Sequence, residues 1–139
     1  MTGNTELSTL LREMKPMLRD GEFVFCTVPG SFSEIVPLSP EGCFWETEGL
    51  SVILHRRVAD TEGLPYEGTY RLITLSIHSS LKAVGFLAEV SRALAANGVS
   101  VNPVAAYYHD HLFVPSDQAR KAMGVLKALS EKADSEGGG

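Results

Sequence analysis

His109-Asp110-His111 places two imidazoles and a carboxylate within three residues. Alternate residues of a strand share a face, so such a run can offer two nitrogen ligands to one metal ion, or an acid/base pair to one substrate. No third ligand lies nearby in sequence, and no Gly-x-Ser-x-Gly or Cys/His arrangement supplies a nucleophile for the pair to serve. Aspartate also stabilises bends, and the His109-Asp110 step reads as the tight link of a β-hairpin. The run is therefore read as a hydrogen-bonded turn first and a ligand-contacting turn second.

A second place for chemistry is the loop Ser79-Ser80-Leu81-Lys82-Ala83-Val84-Gly85. It joins a strand to the start of a helix, where unpaired backbone N–H groups and the helix dipole favour an anion such as a carboxylate. Ser79 or Ser80 can cap that helix near Leu81, and Gly85 permits close approach of a backbone or a ligand. The competing structural reading is capping plus helix packing at Gly85. Asn102 begins the strand after the helix, where it either supports a bulge near Pro103 or reaches a ligand. Cys26, inside the apolar run FVFCTV, reads as a small buried hydrophobe, and Cys43 has no charged neighbours that would activate it.

The elements that position these residues follow from apolar periodicity. Leu7, Leu10, Leu11, Met14, Met17 and Leu18 recur at helical spacing, with Pro16 ending or kinking that helix near Lys15. Glu22–Val28 and Gly49–Val58 read as strands, with two shorter ones near Glu34–Leu38 and Gly42–Glu46. Asp60–Gly68 reads as a linker with room for one helical turn. From Tyr70 to Leu129 the pattern is one βαββα unit. Its first helix has the stripe Ala83, Phe86-Leu87, Val90 and Leu94, and its second has Ala119, Ala122-Met123, Leu126 and Leu129. No alternating apolar run follows Leu129, so the unit lacks a strand of its own and another segment must complete its sheet. The first helix together with Glu22–Val28 is the predicted donor.

The stretch SSLKAVGFLAEVSRALAANGVSVNPVAAYYHDHLFVP resembles the second half of a family of small bacterial proteins built from tandem ACT domains. EFVFCTV and EGLSVILHRRVAD resemble its first half. The resemblance implies an α+β chain of two ferredoxin-like ACT units, with antiparallel sheets and helices on one face, and the missing strand implies that the two units interlock. The linker divides the chain into a degenerate unit at residues 1–63 and a second unit at 64–130, and the polar tail at 131–139 is expected to be disordered. The resemblance further implies an amino-acid-binding regulatory module that works through the interfaces between ACT units. Ligand contacts then fall to Ser79, Ser80, Leu81, Val84, Gly85, Phe86, Asn102, His109, Asp110 and His111. In this loop the family more usually carries an acidic residue and Pro-Gly, where this chain has Ser79-Ser80 and Val84-Gly85.

Composition narrows the functions. The chain has 139 residues, 44% hydrophobic and 21% charged, as in soluble globular proteins. A net charge of −5 disfavours a general nucleic-acid partner, which needs clustered Lys and Arg. The aromatic residues Phe23, Phe25, Phe44 and Trp45 lack the basic Gly-aromatic setting of an RNA-stacking sheet. His55-Arg56-Arg57 is the one basic cluster and reads as a solvated or edge-protecting face. The apolar runs are too short for a membrane span, no secretory signal is visible, and a cytoplasmic location is predicted. The reading is a homodimeric regulatory module acting on an unidentified protein, with no cofactor and no chemistry of its own. Two alternatives stay open: a small ferredoxin-like enzyme or metal-binding protein using His109 and His111, and a purely structural interaction module.

Overall fold

The computed structural model describes residues 2–77 and 84–137. In chain order the elements are α1 (Thr2–Glu13), β1 (Pro16–Leu18), β2 (Phe23–Val28), α2 (Phe32–Ile35), β3 (Gly42–Glu46), β4 (Gly49–His55), α3 (Arg56–Glu62), β5 (Tyr70–Leu75), α4 (Phe86–Ala96), β6 (Asn102–Ala105), β7 (Asp110–Pro115) and α5 (Ala119–Gly137). They form two compact units, and one of them is discontinuous in sequence: Met1–Arg19 joins Arg71–Gly139, while Asp20–Tyr70 is the other.

In the discontinuous unit β5 lies beside β7, and β7 beside the edge strand β6. The β6–β7 hairpin is antiparallel, with Asn102 opposite Phe113 and Ala105 opposite Asp110. The strand missing after Leu129 is supplied by β1, which runs antiparallel to β5 with Pro16 opposite Leu75 and Leu18 opposite Ile73. The sequence correctly assigns the N-terminal helix to this unit and misassigns the strand. Glu22–Val28 pairs instead along β4, from Phe23 opposite His55 to Val28 opposite Leu50. Pro16 explains the error. It fixes its own φ, has no N–H to continue a helix, and disfavours the helical region at Lys15. Lys15 leaves the helix at φ 42°, and Met17, placed by periodicity on the buried helical stripe, is an exposed strand residue.

The core of this unit is built from the apolar stripes predicted for α4 and α5, together with residues of β5. Ile73, Leu75, Val90, Leu94, Ala122 and Leu126 are fully buried, joined by Leu11 and Met14 from the chain's start. α1 packs along α5 and also touches α4. That packing corrects the expected disordered tail at 131–139, because α5 continues to Gly137. Ala133 extends the stripe of Ala119, Ala122, Leu126 and Leu129 by one more helical step and is buried. Ser130 Oγ, close by, donates to the Arg12 carbonyl at 2.8 Å.

In Asp20–Tyr70 the strand order is β3-β4-β2, with Phe23 also opposite Tyr70. The alternation of β4 buries Leu50, Val52 and Leu54, which pack with Val24, Cys26 and Ile35. Two local predictions fail here. Glu34–Leu38 is not a strand: Phe32–Ile35 is helical and Val36–Leu38 is a 3₁₀ turn. Ser31-x-x-Glu34 is a capping-box sequence, and the Glu34 carboxylate accepts from the Ser31 backbone N–H at 3.3 Å. Strand β4 stops at His55 rather than Val58, and helix α3 begins there at Arg56, running into the linker as its helical turn and ended by Gly63 at φ 69°.

Candidate functional site

Ser79, Ser80 and Leu81 lie outside the described residues, as does Ala83. The helix predicted to start near Leu81 begins at Phe86, with Gly85 as its N-cap at φ 88°. A left-handed residue cannot sit inside a right-handed helix, so Gly85 marks its boundary. The Gly85 carbonyl accepts the Glu89 N–H at 2.9 Å, closing the first turn. Among the described residues, a Cβ at Gly85 would make ordinary van der Waals contact with the Leu7 side chain at 3.8 Å. Around it, Val84 is 89% exposed while Phe86 is buried in the core. The three residues thus form a sharp step from solvent to core.

The hairpin has a different turn from the predicted one. Asp110 is a strand residue opposite Ala105, and the link is Ala106–His109, closed by the Ala106 N–H donating to the His109 carbonyl at 3.0 Å. Strand β7 must bury Leu112 and Val114, and that alternation carries the ladder back as far as a buried Asp110. Tyr107 and Tyr108 occupy the tip, 72% and 62% exposed, with their rings edge to face at 4.9 Å. The tyrosine pair is a surface feature whose only signal in the sequence is an aromatic doublet between two strand runs.

His109 and His111 have ring centroids 6.4 Å apart. His111 Nδ1 is 3.0 Å from the Thr74 hydroxyl, and that hydroxyl also accepts from Arg19 Nη1 at 3.4 Å. His111 is thereby tied to the neighbouring strand. Among the described residues no group of three or more His, Cys, Asp or Glu side chains is arranged to hold a metal ion.

Topology separates the predicted contacts. The Gln118 side chain donates to the Gly98 carbonyl at 3.0 Å and accepts from the Ser100 N–H at 3.2 Å, joining the end of β7 to the end of α4. Asn102, exposed opposite Phe113, belongs to that end. Gly85 lies at the far end of α4, about 16 Å away at 1.5 Å per residue. Tyr107, Tyr108 and His109 lie at the opposite end of β7 from Gln118, so they share the Gly85 end. The structure gathers Val84, Gly85 and the hairpin tip at one end and leaves Asn102 at the other.

One ACT-domain model matches residues 2–71, and a second, different ACT-domain model matches residues 67–128. The chain belongs to the ACT-domain family. Among solved structures, a Vibrio cholerae protein of unknown function, described as a possible transport protein, is 41% identical with a TM-score of 0.84, covering 92% of this chain and 98% of that one. An Agrobacterium tumefaciens protein shares the fold of the ACT tandem at 15% identity and TM-score 0.67, over 83% and 87% of the two chains. The ligand-free regulatory subunit of aspartate kinase from Thermus thermophilus shares it at 9% identity and TM-score 0.63, over 82% and 95%. Clostridium acetobutylicum aspartate kinase shares it at 9% and 0.62, with 84% of this ACT chain spanning 34% of the enzyme. A comparison with curated proteins finds no match. Among the described residues no helix of the ACT units is long and apolar enough to cross a membrane.

Proposed function

We propose that this ACT tandem is a regulatory module that binds an amino acid and performs no chemistry of its own. The observation that carries the reading is the pair of ACT models running in tandem through residues 2–128. The step from exposed Val84 to buried Phe86 supports a ligand position at the start of α4, beside the hairpin tip. Backbone N–H groups there attract a carboxylate, and the buried Phe86 side chain bars a second charge from going deeper. Ser79, Ser80 and Leu81 are proposed to complete that position, with His109 and His111 approaching from the hairpin. The ligand's effect passes through interfaces between units to a protein partner in the cytoplasm.

The module works as a homodimer. Edge strand β6 is exposed at all four residues, Asn102–Ala105, and a second copy is the simplest cover for such an edge. A thermal-shift screen of the purified chain against the twenty amino acids tests the ligand reading. Near 100 times its dissociation constant a ligand adds about 2.7 kcal/mol of stability. No shift with any amino acid at millimolar concentration would overturn it. A monomeric mass by light scattering at high micromolar protein would overturn the dimer.

A further inference from the structure

A cleft of about 410 Å³ opens in the unit Asp20–Tyr70, lined by Asp20, Gly21, Glu22, His55, Arg56 and Arg57. Its size falls in the range of small-molecule sites, about 300–1,000 Å³. Two of its charges are already matched. Arg56 Nη1 donates to Glu22 Oε1 at 2.9 Å, and its Nε donates to the Tyr66 hydroxyl at 3.2 Å. Tyr66 donates in turn to Asp60 Oδ1 at 2.7 Å, while Thr69 donates to Glu22 Oε2 at 3.0 Å. These bonds hold one wall of the cleft.

The other charged groups are unmatched. Asp20 and Arg57 are exposed, and neither side chain has a hydrogen bond or ion pair among the described residues. The His55 ring leans on Phe23 at 4.5 Å, and its nitrogens have no hydrogen-bond partner there either. Gly21 faces that ring at φ +88°, and a Cβ on it would come within 3.4 Å of His55 Nδ1. Glycine is therefore what keeps the left-handed backbone beside that ring unstrained.

Asp20 and Glu22 balance Arg56 and Arg57, so the cleft is neutral overall while presenting one free carboxylate and one free guanidinium. A simple anion on Arg57 would leave the Asp20 carboxylate of the same cleft unmatched, and a simple cation on Asp20 would leave Arg57 unmatched. A molecule carrying both charges satisfies both groups. We propose that this cleft binds a small zwitterion, an α-amino acid, with its ammonium on Asp20 and its carboxylate on Arg57 beside His55. Arginine's planar fork suits a carboxylate, and ion-assisted hydrogen bonds of this kind are the strong ones. The cleft shares its ligand class with the proposed function but none of the residues at 84–86 or 107–109.

The test is an amide chemical-shift titration of the ¹⁵N-labelled full chain with each of the twenty L-amino acids. The strongest binder is then repeated as its N-acetyl and carboxamide derivatives, which lack one charge each. The expected result is perturbation centred on Gly21, His55 and Arg57. Asp20→Asn and Arg57→Gln should each weaken binding about tenfold or more, and both derivatives should fail to bind. Both replaced groups are solvent-exposed and unpaired, so the fold survives the changes. Shifts confined to 84–86 and 107–109 would overturn the cleft and leave the proposed function standing. Shifts at the cleft alone would support it and displace the proposed site. Equal binding of the N-acetyl derivative, or no shift with any amino acid, would overturn it.

Discussion

The hydroxyl of Ser130 donates to the carbonyl of Arg12 across 118 positions of sequence, at 2.8 Å. That bond joins the last helix to the first, and it sits where α1 and α5 together close over the core of the discontinuous unit. The chain's first nineteen residues are thus part of the body formed by its second half.

Met14 is the first residue to test. It is fully buried between the end of α1 and the start of β1, with Leu75 and Leu126 in the same core. Met14→Ala should cost about 2–5 kcal/mol, the range for truncating a large buried side chain. Urea unfolding measures it. A loss below about 0.5 kcal/mol would mean that the N-terminal segment is not packed as described.

Two glycines should respond oppositely to alanine. Gly85 holds φ 88°, where a Cβ costs about 1–2 kcal/mol, so Gly85→Ala should destabilise the protein. Gly124 lies in the exposed run of α5 with nothing within 4 Å of an added Cβ, so Gly124→Ala should stabilise it by about 0.5–1 kcal/mol. A stabilising Gly85→Ala would place that residue inside a helix and move the start of α4 towards Leu81.

Ala133 should matter although it lies in a polar tail. Ala133→Asp puts a charge at a buried position against α1 and should cost well over 1 kcal/mol, whereas Asp134→Ala, at an exposed neighbour, should be near neutral. Paired melting curves decide it, and equal melting temperatures would restore the disordered tail.

The cysteines should differ in reactivity. Burial raises the Cys26 thiol above its ordinary pKa, so less thiolate forms at a given pH, while Cys43 is only partly buried. A disulfide reagent at pH 8 should label Cys43 first and Cys26 only on unfolding. The same shift makes the folded state hold its proton longer than the unfolded chain. Stability should therefore fall as pH rises from the unfolded thiol's pKa through the raised folded one. Equal labelling rates in native buffer would contradict this.

His111 should be held by Thr74 and not by a metal ion. Its bond to Thr74 predicts a loss of about 0.5–1.5 kcal/mol in His111→Ala. The melting temperature of the parent should not change with a chelator or with zinc. A chelator-induced drop in the parent that His111→Gln abolishes would instead establish a metal site.

Local pattern was enough for much of this fold. The alternation of Gly49–His55, the stripe of Val90 and Leu94 and the stripe of Ala119, Ala122 and Leu126 each determine both an element and its buried face. Side-chain period depends only on neighbours in the chain. The want of a strand after Leu129 was legible too, as was the N-terminal helix that helps to fill its place. What the tertiary structure decided lies where two segments distant in sequence meet. Three residues, Pro16–Leu18, are too short to signal a strand until β5 offers its edge. Ser130–Gly137 is too polar to signal a helix until α1 covers Ala133. The hairpin turn moved from His109-Asp110 to Tyr107-Tyr108 because burial of Leu112 and Val114 sets the register of β7, and a turn goes where register puts it. The candidate sites divide in the same way. Gly85 was visible as a glycine before an apolar stripe, but its left-handed φ was not. The cleft between Gly21 and His55 exists only because β2 and β4 pair antiparallel, which sets residues 34 positions apart side by side.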